Sequence, residues 1–331
     1  PTGLLTGFMN FVAGIGKDFK TDYIVFALDA KGTTFRNELF ENYKAQRPDV
    51  PEDLLIQLPV AISWVEKMGF KIAIRTGYEA DDMVASIAKD AKEKGFEVRI
   101  VSHDKDLYQL IDDANSVYLF DPTKKQIINE AKCIEKYGVT PKQFIDYQAL
   151  VGDTADNIPG VKGVGAKTAQ TLIEQFGTLE NIYENIENID KKRTKELLIE
   201  GKENAFLSKQ LVTLKDDCHF ISNIDEFSLP SENPILKIAS DLESYDMHRI
   251  IERVNKNGLN YKTEVPKKVE DEKIEYILLN NENDLTLAIN KIPRDAIIAF
   301  DTETTNLDTA KAKIVGFSFC YEDKKAYYVP I

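Results

Sequence analysis

The sequence predicts an α/β fold: a parallel sheet, then a helical region, then a second β-rich unit. Three observations predict it. Short apolar runs alternate with amphipathic stretches over residues 23–121, the pattern becomes helical from about residue 129, and strand-like runs return after a polar stretch at 255–273. Strand–helix alternation is typical of a parallel sheet with right-handed crossovers.

In the first region, four predicted strands alternate with helices. Pro51 begins a helix that Gly69 ends, and a second helix covers residues 79–94 before Gly95. The strands are short apolar runs, as expected for strands buried on both faces. They cover residues 23–28, 70–74, 96–101 and 116–120. A short helix is predicted from about residue 104.

The chain of 331 residues is long enough for two domains. We predict an α/β core, a helical subdomain, a linker with little periodicity, and the start of another β-rich domain. In that last domain, strands are predicted near 275–279 and 296–300, with another pair in the final twenty residues. The four segments are residues 1–128, 129–254, 255–273 and 274–331.

Net charge and cysteine usage set weaker limits on function. The formal charge of −13 argues alone against a nucleic-acid partner, but acids gathered around bound cations reverse the local sign. The cysteines at 133, 218 and 320 are scattered, which favours reduced thiols in a cytoplasmic protein. No apolar run approaches the roughly 18–20 residues of a membrane span, so no membrane association is expected.

Acidic residues follow each of the first three predicted strands. The carboxyl ends of parallel strands face one crevice, so these acids are expected to converge, with Asp153 and Asp156 approaching from the helical region. A single acid at a helix start is usually only a dipole partner, but repetition at three strand ends favours a shared site. The strand-end acids are Asp29, Glu79, Asp81, Asp82, Asp104 and Asp106.

So many carboxylates repel one another unless cations neutralise them. Oxygen ligands favour Mg²⁺, with Mn²⁺ as the alternative. Two such ions would activate a water and stabilise the leaving oxygen of a phosphodiester.

Basic residues follow Asp29. Arg36, Tyr43, Lys44 and Arg47 lie three or four positions apart, so they can share one side of a helix. We expect the three cations to contact the scissile phosphate and Tyr43 to stack on an unpaired base. An ordinary exposed amphipathic helix is the alternative.

A glycine block, residues 152–169, precedes a further helix. Its glycines let the backbone approach another molecule, and a helix start presents free N–H groups to an anion. This combination suits binding a phosphate backbone without reading bases. The predicted DNA-binding residues are Gly160, Lys162, Gly163, Gly165, Lys167 and Thr168.

Together these motifs resemble the 5′-nuclease domain of the bacterial DNA polymerase I family, part of the flap endonuclease family. The resemblance covers residues 1–254, and its most specific parts are residues 26–29, 78–82, 102–106 and the glycine block. It implies a PIN-like core and a helix–hairpin–helix-type element at 160–168, often with K⁺. It also implies a metal-dependent enzyme that removes 5′ flaps and RNA primers from duplex DNA, with all eight acids in the metal site.

One departure and one further resemblance accompany this match. Family members begin with a strand ending in another catalytic aspartate, which does not precede Pro1, so an N-terminally incomplete fragment is expected. Residues 300–308 resemble the first motif of the ribonuclease H-like 3′–5′ exonuclease domain, with Asp301 and Glu303 as metal ligands on one strand face. The later acidic motifs of that domain are absent, so a C-terminally incomplete domain is expected.

The leading interpretation is therefore a 5′–3′ exonuclease and flap endonuclease of DNA replication and repair. Its expected partner is DNA with a 5′ flap, nick or RNA primer, bound by a monomer. A DNA-binding fragment that cannot cut is one alternative. A PIN-type ribonuclease is another, and it explains the acids but not the glycine block.

Overall fold

The computed structural model describes residues 2–19, 21–48, 50–230, 233–257, 275–305, 311–322 and 325–331. The chain forms two compact units, Pro1–Thr263 and Glu264–Ile331. Most of the predicted linker, residues 258–273, lies outside the described residues, and its first three residues end a helix.

The first unit contains parallel strand pairs, as predicted, in two small sheets. β1 pairs with β2 in parallel, β3 pairs with β4 in parallel, and β5 adds to β4 in antiparallel orientation. Three predicted strands are present with shorter bounds and the fourth is shifted by one residue, whereas β5 was not predicted. The strands are β1 Val25–Ala27, β2 Lys71–Ala73, β3 Val98–Val101, β4 Val117–Asp121 and β5 Gln126–Ile128.

Local sequence explains where the key helices begin and end. The long helix α3 follows Pro51 and stops at Gly69, whose φ of 88° favours glycine. α4 starts after Glu79 with a capping box between Glu79 and Asp82. The helices are α1 Gly3–Asp18, α2 Phe35–Leu39, α3 Glu52–Met68, α4 Ala80–Glu93, α5 Glu130–Tyr137, α6 Pro141–Val151, α7 Ala166–Phe176, α8 Leu179–Glu184, α9 Lys192–Glu200, α10 Lys202–Val212, α11 Ala239–Ser244 and α12 His248–Asn257.

The helical region and the β3–β4 sheet share one hydrophobic core. Ile100 and Leu119 from the strands join a cluster with Phe144 and Leu150 from α6 and Ile173 from α7. Close-packed interiors resist relative movement of their elements. This core therefore fixes the end of β3 against the loop that follows α6.

That loop is held by a close backbone contact between Gly152 and Gly160. A side chain at Gly160 would place its Cβ 2.5 Å from the backbone nitrogen of Gly152, and both glycines have positive φ. Between them, Asp153 and Ile158 exchange backbone hydrogen bonds of 2.9 and 2.7 Å. The loop thereby presents Asp153 and Asp156 in a fixed arrangement.

In its described residues, the second unit is a mixed four-stranded sheet in the order β6-β9-β8-β7 with one helix. β6 and β9 are parallel and the other pairs are antiparallel. The predicted strands are present, although the one expected at 296–300 begins later, and α13 was not predicted. The elements are β6 Glu275–Leu278, α13 Glu282–Ile289, β7 Ala299–Thr304, β8 Ile314–Glu322 and β9 Lys325–Pro330. Among all described residues, no helix combines the length and apolar character that crossing a bilayer requires.

Candidate metal centre and DNA-binding hairpin

Three carboxylates from two elements form the centre of the candidate site. Asp106 begins a 3₁₀ helix after β3, while Asp153 and Asp156 lie in the loop after α6. One carboxylate oxygen from each lies within 4.8 Å of the others. We call this group the acid trio. Three oxygen ligands at this spacing can surround a hard cation.

Asp81 and Asp104 lie next to the acid trio, where burial and then the neighbouring charges raise the pKa values of Asp81 and Asp106. Burial raises the pKa of Asp81 to about 7, and the charges of Asp104 and Asp106 add to the effect. The pKa of Asp106 rises to about 6, again mainly through burial, with Asp104 and Asp153 contributing. A bound cation would relieve this repulsion, because it favours the ionised carboxylates.

Asp29 and Glu79 meet at the start of α4. Asp29 Oδ1 accepts a hydrogen bond of 2.7 Å from the backbone N–H of Ala80. Glu79 accepts hydrogen bonds from the Tyr43 hydroxyl at 3.0 Å and from Lys44 Nζ at 2.6 Å. The end of β1 and the end of β2 thus contribute acids to the same region, as the sequence predicted.

Asp82 differs from the other predicted metal ligands. It is fully buried and its two oxygens bind the Arg36 guanidinium at 2.7 and 2.8 Å. The same oxygens accept backbone hydrogen bonds from Glu79 and Lys215, each at 2.9 Å. These four bonds leave Asp82 occupied as a helix cap and ion-pair partner, and the structure does not bring it to the acid trio.

The prediction that Arg36, Tyr43, Lys44 and Arg47 share one side of a helix is wrong. α2 ends at Leu39, turns occupy residues 41–46, and Lys44 has a φ of 57°. Arg36 is only 1% exposed, and besides Asp82 its guanidinium donates to the backbone carbonyl of Leu211 at 2.8 Å. A guanidinium buried in this way is not available to a phosphate.

The rest of this segment contacts the acids directly. Tyr43 is buried rather than exposed for stacking, and its hydroxyl lies between Glu79 and Asp156, 3.5 Å from Asp156 Oδ2. Arg47 pairs with Asp156 while its side chain remains 52% exposed. The Lys44 side chain is mostly buried and contacts both Glu79 and Asp156.

Two further side chains at the site were missed by sequence reasoning. Lys105 Nζ lies 2.9 Å from Asp153 Oδ2, and its place between Asp104 and Asp106 was the available signal. Gln148 donates from Nε2 to Asp106 Oδ1 at 2.5 Å. A buried glutamine inside a helix carries no sequence signal of this kind.

The glycine block forms a hairpin loop, residues 161–165, ahead of α7. Val161 and Val164 are buried and anchor the loop, while Lys162, Gly163, Gly165 and Lys167 are exposed and Thr168 is half-buried. Gly165 precedes α7 without a side-chain cap, and the first turn contains no acid. Such a helix start favours an anion.

The prediction for Gly160 needs correction. Gly160 is buried against Gly152, and its backbone N–H donates to Ser208 Oγ at 2.9 Å. It therefore shapes the loop rather than facing a ligand.

The first unit matches two family models. The model described as "5'-3' exonuclease, N-terminal resolvase-like domain" matches residues 1–138, and the one described as "5'-3' exonuclease, C-terminal SAM fold" matches residues 139–234. A 5′-3′ exonuclease of Aquifex aeolicus is 35% identical over 259 residues, which are 77% of this chain and 86% of that protein. The chain belongs to the 5′–3′ exonuclease family. It is therefore a nuclease homologue with the α/β fold of that family.

Longer relatives of this family match as well. DNA polymerase I of Helicobacter pylori strain J99 is 41% identical over 251 residues, covering 74% of this chain. DNA polymerase I of Pseudomonas aeruginosa is 33% identical over 341 residues, covering the whole chain. The chain spans 27% and 37% of the lengths of these two proteins.

A solved structure of the exonuclease family has the same fold. The bacteriophage T5 5′-exonuclease with bound divalent metal ions (zinc) superposes with a TM-score of 0.55 at 25% identity. The match covers 75% of this chain and 90% of the T5 chain.

The remaining predicted ligands, Asp301 and Glu303, lie in the second unit. Both are exposed on β7, two positions apart, so their side chains leave the same face of the strand. The two family models end before these residues.

Proposed function

We propose that this chain is a metal-dependent phosphodiesterase that cuts DNA at 5′ ends and 5′ flaps, as part of a DNA polymerase I acting in replication and repair. The observation that carries the proposal is the acid trio of Asp106, Asp153 and Asp156, with ligand oxygens within 4.8 Å of one another. Family membership indicates the reaction class, and the acid trio offers a binding site for the metal ion that the reaction needs.

The donor set fits a hard divalent cation. Every candidate ligand in the site is a carboxylate, which favours Mg²⁺ or Mn²⁺. The acid trio is proposed to hold one ion, and Asp29, Glu79, Asp81 and Asp104 are proposed to complete a site for two. When bound, such ions lower the pKa of a water and stabilise the leaving oxygen of the phosphodiester. The T5 relative with bound divalent metal ions supports this proposal.

Other side chains are proposed to shape the site. Arg47 is half-exposed beside Asp156, so its free donors can contact a phosphate that enters, and Lys44 adds a second positive charge. Tyr43 holds Glu79 and Asp156 at a fixed separation through its hydroxyl. Asp82 and Arg36 are proposed to brace the start of α4 instead of binding metal or phosphate.

The hairpin loop is proposed to bind the duplex backbone. Lys162 and Lys167 are exposed on either side of the exposed Gly163 and Gly165, so two cations and the glycine backbone are accessible to a phosphate backbone. Thr168 is the next candidate in the first turn of α7, and the loop would hold a K⁺ ion, which would add positive charge for a phosphate. The proposed partner is DNA with a 5′ flap, nick or RNA primer, bound by one copy of the chain in the cytoplasm.

For the second unit we propose the start of a 3′–5′ exonuclease domain, with Asp301 and Glu303 as its first metal ligands. Two observations favour it: both carboxylates leave one exposed face of β7, and the P. aeruginosa DNA polymerase I matches the whole chain.

Cleavage of a 5′-flap DNA labelled at its 5′ end tests the proposed function. The full chain with Mg²⁺ should release a short labelled product, and a chelator should stop the release. Single-stranded RNA of the same sequence serves as the control substrate. Preferential RNA cleavage would favour the PIN-type ribonuclease, and Mg²⁺-independent DNA cleavage would overturn the metal mechanism.

A further inference from the structure

Gln148 is a polar side chain buried in the middle of the helical core. It lies on α6, is 2% exposed, and is followed by Ala149 and Leu150, which are fully buried. Its amide points toward the end of β3, where Nε2 donates to Asp106 Oδ1 at 2.5 Å. The contact joins a helix of the helical subdomain to one member of the acid trio.

The other half of the amide is unsatisfied. Gln148 Oε1 is buried and has no hydrogen-bond partner in the described part of the chain. Above the pKa of Asp106, reversing the amide does not solve this, because it would turn the oxygen toward an ionised carboxylate, which accepts hydrogen bonds only. Buried polar atoms nearly always have partners, so this orphaned oxygen calls for a donor that the described side chains do not provide.

The members of the acid trio differ in the charge of their partners. Asp153 faces Lys105, and Asp156 faces Arg47 and Lys44, so a positive charge already lies against each. Asp106 receives its side-chain hydrogen bond from the neutral Gln148, while the charge of Lys105 acts on it from the side of Asp153. A neutral donor fixes the direction of a carboxylate without cancelling its charge, and leaves that charge available to a cation.

We propose that Gln148 is a positioning residue of the metal centre. Its Nε2 orients Asp106 toward the bound cation, and its Oε1 accepts a hydrogen bond from a water on that cation. The inference rests on the metal-dependent function proposed above. It assigns to this chain a hydrogen-bonding partner of the metal site outside the carboxylate set.

Two substitutions in the full chain separate this role from packing. Gln148→Met keeps an unbranched side chain of similar size but removes both hydrogen-bonding functions. Gln148→Lys keeps a donor for Asp106 but adds a positive charge and removes the acceptor. The matched control is Gln170→Met, because the Gln170 amide donates to the backbone carbonyl of Tyr137 at 2.6 Å and contacts no acid of the trio.

The measurement is the dissociation constant for Mg²⁺, from the rise of the unfolding midpoint with Mg²⁺ concentration in the absence of DNA. Gln148→Met should raise this constant about tenfold, the effect typical of residues that orient metal ligands. Gln148→Lys should raise it further, and Gln170→Met should leave it unchanged. DNA affinity, measured with Ca²⁺ in place of Mg²⁺, should be the same for all three variants.

Mg²⁺ affinity within about twofold of the parent for Gln148→Met would overturn the inference, because a packing role predicts that result. An affinity for Gln148→Lys equal to or above that of the parent would do so as well. A parent chain whose midpoint does not respond to Mg²⁺ would contradict the proposed metal centre itself, which is a different failure.

Discussion

Two acids of this chain, Asp82 and Asp106, look alike in sequence and differ in the structure. Asp82 is fully buried with four hydrogen bonds, two of them from one guanidinium. Asp106 is crowded by other acids, and its pKa rises to about 6 mainly through burial. The first is neutralised within the protein, while the second keeps a charge that a cation can use.

The comparison shows that position at a strand end is not enough to identify a metal ligand. Asp81 and Asp82 are adjacent in the first turn of α4, yet Asp81 lies near Asp104 while Asp82 pairs with Arg36. Which acid serves chemistry and which serves stability depends on the partners that tertiary structure supplies. The predictions below separate the two groups.

The largest effect is expected from Asp104→Ala. This change removes an exposed carboxylate beside the acid trio, so cleavage of a 5′-flap DNA should fall at least about a thousandfold. Binding of the same DNA should change little, because the hairpin loop is untouched. Asp190→Ala, at an exposed aspartate shortly before α9, is the control. Equal loss of DNA binding and cleavage would show that the metal centre and the DNA-binding surface do not act separately.

Arg36→Met tests the structural side of the comparison. It leaves Asp82 buried without its ion-pair partner, so the free energy of unfolding should fall by about 3 kcal/mol. Urea denaturation measures the change, and Arg193→Met, at a largely exposed arginine, provides the comparison. A loss below about 0.5 kcal/mol would show that Arg36 is not the brace described above.

The pH dependence of Mg²⁺ stabilisation tests the charged side. The pKa values of Asp81, about 7, and Asp106, about 6, lie above their unfolded values. Between about pH 4 and pH 7 the folded state binds more protons than the unfolded state. The metal-free protein therefore loses stability as the pH rises through this interval, because the folded state must release these protons. Mg²⁺ competes with the protons, so its stabilising effect should be small near pH 5 and reach about 2–3 kcal/mol near pH 8 at saturating Mg²⁺. Thermal unfolding with and without Mg²⁺ measures this, and a pH-independent shift would contradict it.

Lys167→Ala should have the smallest effect. Losing one phosphate contact should weaken duplex binding about tenfold and reduce the slope of affinity against salt by about one unit. Lys142→Ala is a suitable control, since Lys142 is an exposed lysine at the start of α6, whereas the glycine block follows the end of that helix. An unchanged salt slope would remove Lys167 from the proposed DNA contacts.

The sequence predicted the fold class and the regions that supply the acids, because strand ends and glycine turns leave local signals. Asp29, Glu79 and Asp106 lie where strand–helix alternation indicated. The sequence did not predict that Arg36 is buried, or that the Tyr43 hydroxyl lies between Glu79 and Asp156. Those outcomes depend on partners more than thirty residues away, such as Leu211 and Asp156. A helical period continued through residues 40–47 misled the prediction, since the chain turns there.

Asparagine substitutions at Asp82 and Asp106 test the central claim most directly, with unfolding measured near pH 8 with and without Mg²⁺. Asp82→Asn should lower stability by about 3 kcal/mol in both conditions and keep the response to Mg²⁺. Asp106→Asn should raise metal-free stability by about 1 kcal/mol and abolish most of that response. Loss of the Mg²⁺ response in Asp82→Asn, with its retention in Asp106→Asn, would contradict the account.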